Sequence, residues 1–144
     1  MQSANMARIL LLKGKQDQHV LNRFLEDMSI SDETIGFHSQ QAVEKMIKAV
    51  LAHRAVEYQR THKLRRLVAL LRSSNIAYPS ELTEAVALTP FAVELRYDML
   101  PVHDDAARAF DRQWANRCVE RIAEWASSVV EGGKGRRNAG EVLP

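Results

Sequence analysis

The sequence predicts an all-α fold, an antiparallel up-and-down bundle of four to five helices. Three observations predict it. Long segments repeat apolar residues every three or four positions, the period of a helix with one buried face. No segment alternates apolar and polar residues as a half-buried strand does. The joints between segments are short, which favours antiparallel neighbours.

The first helix is expected over residues 6–28, with Leu10, Phe24 and Met28 on its buried side and Ile9, Val20 and Leu21 beside them. Asp17 interrupts that stripe, seven residues after Leu10 and seven before Phe24. Two readings stay open for it: an ion pair at the core edge with Lys13, or a polar group facing a cleft or a dimer interface. Gly14, costly inside a helix, suggests a close helix contact.

Ser31 is a good N-cap for the second helix, and Asp32 and Glu33 suit its first turn. This central helix carries FHSQQAVEKMIKAVLA at residues 37–52 and is expected to reach Tyr58. Val43, Met46, Ile47 and Val50 form one apolar stripe, while Gln41, Glu44, Lys45 and Lys48 form a polar face. Glu44 and Lys48 stand in the favourable order for a helical ion pair. Ala42, Ala49 and Ala52 are small enough to admit a close neighbour.

Thr61 is expected to cap a third helix, in which Leu64, Leu67, Val68 and Leu71 face inward. A fourth starts near Ser80, with Leu82 and Val86 inward. Thr89 and Pro90 read as N-cap and first turn of a further short helix carrying Phe91, Val93 and Leu95. Residues 99–105 read as a loop because Pro101 disfavours helix at Leu100. The last helix is expected over residues 106–130, with Phe110, Trp114, Cys118, Ile122, Trp125 and Val129 as its apolar stripe. Residues 131–144, EGGKGRRNAGEVLP, read as a flexible tail after one domain at 1–130.

Composition bounds the function. A chain of 144 residues that is 46% hydrophobic suits one domain with a proper core. No apolar run approaches the roughly 20 residues of a membrane span, and no secretory leader is visible, so a cytoplasmic protein is expected. The lone Cys118 excludes an internal disulfide and a cysteine-cluster zinc site, and its stripe position suits an inert packing role. No zinc motif or phosphate loop occurs, so neither a metal nor a cofactor is expected. A net charge of +2 argues for nucleic acid only through its local distribution.

That distribution is uneven. Residues 53–72 hold six Lys or Arg against the single acid Glu57, with His53 and His62 besides. The run is either a solvated helix face or a flank that holds phosphates. Tyr58 is the only ring nearby, so base stacking is poorly supported. The polar face of the central helix, His38, Gln41, Glu44, Lys45 and Lys48 together with His62, either closes on itself through hydrogen bonds or lines a pocket.

FHSQQAVEKMIKAVL, the Thr61-His62 pair and Arg96-Tyr97-Asp98 resemble the HEPN family over residues 6–130. These are small bacterial and archaeal helical domains, often paired with small nucleotidyltransferases. The resemblance implies a homodimer with its cleft shared between protomers. It implies the toxin component of a toxin–antitoxin pair, with a nucleotidyltransferase as antitoxin partner and metal-independent ribonuclease activity on RNA. The alternative it implies is a non-catalytic module binding a nucleotide or a partner through His38, Gln41, Glu44, Lys45, Lys48, His62 and Tyr97. In the catalytic branch an Arg and a nearby His form the ribonuclease motif. Here Arg96 and His103, with six residues between them, would fill those roles. Arg96 would hold the scissile phosphate through its planar fork and His103 would move the proton. Pro101 intervenes and Asp104 and Asp105 follow. Read from the residues alone, Arg96 pairing with a nearby acid and His103 as an ordinary loop side chain stay open.

Overall fold

The computed structural model describes residues 2–92 and 110–132. The expected catalytic pair Arg96 and His103, with Tyr97, lies outside the described residues, as do Val93, Leu95 and the expected tail from residue 133. The described chain forms α1 (Gln2–Phe24), α2 (Asp32–His53), α3 (Leu64–Ser73), α4 (Glu81–Ala85), a 3₁₀ segment (Val86–Phe91) and α5 (Arg112–Glu131). No strand occurs among the described residues. The helices pack as an antiparallel bundle around α2, which touches α1, α3, α4, the 3₁₀ segment and α5.

The sequence of α2 explains its central place. Ser31 caps it, its hydroxyl accepting from the Thr34 N–H at 3.1 Å, with Asp32 and Glu33 at the positive end of the helix. Beyond that turn the rod is sheathed on most sides: Ile35, Val43, Met46, Ile47, Val50 and Leu51 are each at most 1% exposed. Alanines at 42 and 49 keep it thin enough for neighbours to close in.

Helix α1 turns a different face to the core from the one its bulky residues suggest. The buried seam is Ala7, Leu11, Gly14, Asp17 and Leu21. Phe24 is 37% and Met28 78% exposed, and Ile9 is 44% exposed. The reason is Gly14. A Cβ there would lie 3.0 Å from Met46 Cγ and 3.4 Å from the Ala42 carbonyl, so the two backbones meet where α1 has no side chain. The contact hinted at by Gly14 is present; Leu21 is buried as expected and Leu10 packs partly buried against the core, whereas Phe24 and Met28 do not. Helix α1 also ends at Phe24, before Met28. Asp27 reverses the chain, its Oδ1 accepting from the Ser29 N–H at 2.8 Å and the Ser29 hydroxyl at 2.6 Å.

Other boundaries also move. Helix α2 stops at His53, short of Tyr58, because Ala55 adopts a left-handed φ of 57°. The Val56 N–H then donates back to the Leu51 carbonyl at 2.9 Å, closing a Schellman turn. Asn75, with φ 59°, ends α3 in the same way, Ile76 N–H donating to Leu71 O at 3.0 Å. Thr61 does not cap α3; its hydroxyl accepts from Lys63 N–H, and helix begins at Leu64. The cap comes from afar: Thr89 Oγ1 accepts from the Leu64 N–H at 3.2 Å. Thr89 and Pro90 therefore lie within the 3₁₀ segment rather than opening a new helix. Helix α5 starts at Arg112, later than expected, because Asp111 caps it by accepting from the Trp114 N–H at 2.9 Å.

One side chain fastens the α1–α2 joint to α5. Arg112, whose side chain is 10% exposed, donates from Nη2 to the Ile30 carbonyl at 2.6 Å and from Nη1 to the Leu25 carbonyl at 3.0 Å. Its Nε donates to Asp32 Oδ1 at 2.9 Å. Arginine alone has donors in that fork. Cys118 is buried among the core residues, and its thiol is pushed up to about 11, by burial first and then by Glu84 and Glu81. That is an inert packing thiol.

Two expected outcomes follow from these contacts. Arg112→Ala lowers the unfolding free energy by about 3 kcal/mol, and Arg112→Lys recovers little of it, in urea melts. Ala55→Gly raises it by about 1 kcal/mol, because glycine carries no steric cost at a left-handed φ.

Candidate functional site

The polar face of α2 divides in two, because adjacent positions on a helix point about 100° apart. Glu44 turns toward the start of α3 and Lys45 toward α1. Two charged clusters result, one on each side of the rod.

The first is built on Asp17, 8% exposed in the α1–α2 seam. Lys45 Nζ donates to its Oδ2 at 2.7 Å and His38 Nδ1 lies 2.8 Å from its Oδ1. The partner of Asp17 is thus α2 rather than the expected Lys13, which is exposed. A carboxylate that deep requires a cation and further hydrogen bonding, and α2 supplies Lys45 and the His38 ring. The His38 ring also meets Phe37 edge-on, with centroids 5.1 Å apart.

The second cluster centres on Glu44, 4% exposed. Its Oε2 accepts from Lys48 Nζ at 2.7 Å, the helical ion pair expected from their spacing. Its Oε1 accepts from Gln40 Nε2 at 2.9 Å and meets His62 Nδ1 at 2.8 Å. Gln40 also donates to the His62 carbonyl at 3.3 Å, and Gln41 Nε2 donates to Gln40 Oε1 at 2.7 Å. Lys48 Nζ stands 5.6 Å from the centroid of the Tyr58 ring. Burial raises the Glu44 pKa, and the bonds from Lys48, His62 and Gln40 outweigh it, so the value falls below the ordinary carboxylate range. Glu44 is therefore ionised and can only accept, which places the His62 proton on Nδ1. The Tyr58 hydroxyl is held above its usual value, by burial first and then by Glu44.

The structure thus joins Glu44, Lys48 and His62 directly and Gln41 through Gln40. It sets His38 and Lys45 on the other side, around Asp17. Gln40 was missed in the sequence. Its signal was its place one turn before Glu44, next to the equally buried Ser39.

Two described rings flank the expected catalytic segment in the sequence. Phe91 and Phe110, the rings on either side of it, meet edge to face with centroids 5.0 Å apart. The Phe91 ring lies over Gly36, where a Cβ would sit 2.4 Å from Cδ1. Gly36 is one turn before Gln40 on α2. A cleft of about 630 Å³ is edged by Lys63, Arg65 and Arg66 and floored by Val86, Thr89 and Pro90. The basic run expected from the sequence puts these three cations at the rim, all exposed. Among the described residues no group of three or more His, Cys, Asp or Glu is placed to hold a metal ion. None of the described helices is long and apolar enough to cross a membrane.

A family model described as "HEPN domain" matches residues 7–131 of the chain. No curated protein and no solved structure matches it.

Glu44 yields a pH test. Its lowered folded pKa means that its stabilisation is fully present above the ordinary carboxylate range and is lost as pH falls through the lowered value. Wild type is expected to exceed Glu44→Gln by roughly 1–3 kcal/mol near neutral pH, with the gap closing in acid. Urea melts across pH check this; a gap independent of pH contradicts it.

Proposed function

This chain belongs to the HEPN domain family, and from that premise we propose that it is a metal-independent ribonuclease, with Arg96 and His103 as its catalytic pair. The observation that supports the reading is the family match, which spans Arg96 and His103, together with a cation-edged cleft among the described residues. Phe91, which precedes the segment bearing Arg96 and His103 in the sequence, lies over Gly36 of the central helix and meets Phe110 edge to face. The cation-edged cleft of Lys63, Arg65 and Arg66 runs to Pro90, just ahead of that segment. A polyanion lying in the cleft is neutralised by these cations.

The chemistry uses only side chains. The Arg96 guanidinium grips two non-bridging oxygens of the scissile phosphate and stabilises the charge that builds on them. His103 takes the proton of the ribose 2′-hydroxyl. The 2′-oxygen forms a bond to phosphorus, the bond to the 5′-oxygen breaks, that oxygen takes a proton from water as it leaves, and His103 gives its proton back to the resulting hydroxide. The products are a 2′,3′-cyclic phosphate and a 5′-hydroxyl. In this reading the chain works as a homodimer and as the toxin of a pair whose antitoxin is a small nucleotidyltransferase, in the cytoplasm.

A nucleotide-binding module using His38, Gln41, Glu44, Lys45, Lys48, His62 and Tyr97 is less well supported. Lys45 is already held by Asp17, and Glu44 and Lys48 hold each other. A phosphate could reach Lys45 only by displacing a nearly buried carboxylate.

Purified protein is expected to cut single-stranded RNA in excess chelator, leaving cyclic phosphate ends. Arg96→Ala and His103→Ala each lower the rate by at least roughly 100-fold without lowering the melting temperature. Intact RNA with folded wild-type protein, or cleavage indifferent to Arg96→Ala, overturns the proposal. Saturable heat on titrating ATP, diminished by Lys45→Ala, would move the reading to the binding module.

A further inference from the structure

Helix α1 exposes apolar side chains that the bundle does not use. Met6 is 47%, Ile9 44% and Leu12 60% exposed, at the three-residue spacing that keeps them on one side of the helix. Met6 and Ile9 continue into a cleft of about 600 Å³ between α1 and the end of α2, walled by Ala52, Val56 and Tyr58. An apolar stripe running into an apolar cleft is the form of a groove that receives an amphipathic helix.

The charge around the stripe selects the occupant. Arg8 and Lys13 are exposed on either side of Ile9 and Leu12. Neither pairs with a carboxylate among the described residues. The only carboxylate in α1 is Asp17, and it is buried and held by Lys45 and His38. Arg54 stands exposed at the α2 end of the cleft, and Glu57 is the one acid on its lining. A second copy brought face to face on α1 would set these cations against themselves.

We propose that this face of α1 is a docking groove for a partner protein's amphipathic helix with an apolar ridge flanked by Asp or Glu. The ridge seats on Ile9 and Leu12 and reaches past Met6 toward Tyr58. The acidic flanks meet Arg8, Lys13 and Arg54. This proposal goes beyond the ribonuclease reading and stands independently of it.

The test uses the full chain and two labelled designed helical peptides that share a leucine face and carry either glutamate or lysine on both flanks. Fluorescence anisotropy is expected to show saturable binding of the glutamate peptide. Binding weakens at least roughly tenfold with the lysine peptide, with added salt, and with Ile9→Glu/Leu12→Glu. Those two sites are exposed, so the double variant keeps the wild-type melting temperature. Arg8→Glu/Lys13→Glu is a second variant, expected to weaken the glutamate peptide and improve the lysine one. No binding of the glutamate peptide, or equal binding of both, overturns the proposal. So does capture by anionic phosphatidylglycerol vesicles that Ile9→Glu/Leu12→Glu abolishes, which would give the face to a membrane surface. A dimer in light scattering that the same variant makes monomeric would give it to a second copy, with the same consequence.

Discussion

A carboxylate sealed inside a helical bundle sets the terms for the rest of this structure. Glu44 sits on the rod around which the other helices pack, 4% exposed. Stripped of water, it is tolerable only if each oxygen is met by a donor. Lys48 meets one oxygen, and Gln40 and His62 meet the other. His62 precedes α3, so satisfying Glu44 also fixes where the third helix begins. That start is further held by Thr89, which caps Leu64 from the 3₁₀ segment. The central helix and the start of α3 are thus linked through one buried charge, and Thr89 joins the 3₁₀ segment to that start.

This arrangement separates support from chemistry. The hydrogen-bonding capacity of α2 is largely spent inside the protein, on Asp17 toward α1 and on His62 toward α3. The exposed cations at the start of α3, Lys63, Arg65 and Arg66, are by contrast peripheral, along the cleft that reaches Pro90. Such a division is physically sensible. The ribonuclease site proposed above would need rigid backing, and a satisfied polar network inside a packed core is a source of it.

Much of this was legible in the residues. The apolar period of α2, its Ser31 cap, the Glu44–Lys48 pair and the close contact at Gly14 all follow from local rules. What escaped shares one cause: the deciding group was small or distant. The face of α1 was misjudged at Ile9, Phe24 and Met28, though not at Leu10 and Leu21, because bulky side chains carry the periodic signal, whereas Ala7 and Gly14 make the contact. The end of α2 was misplaced because nothing marks Ala55 as a left-handed residue; Asn75, in the same turn, is a residue type that often adopts it. Thr89 and Arg112 act on backbone groups far along the chain, at Leu64 and at Leu25 and Ile30. No spacing rule reaches that far. Within the candidate site, Glu44, Lys48 and His62 were named but Gln40 was not, since an amide beside three other polar residues looks like surface until the packing shows it covered. Arg96, Tyr97 and His103 were reached through the family resemblance and lie outside the described residues.

The most direct measurement is the protonation of the His62 ring. Long-range nitrogen–proton NMR on labelled protein at neutral pH is expected to show a slowly exchanging proton on Nδ1 of His62, shifted downfield by its bond to an ionised Glu44. That signal is expected to vanish or move in Glu44→Gln. A His62 ring protonated only on Nε2, with the same spectrum in the variant, would contradict the buried network on which this description of the molecule is built.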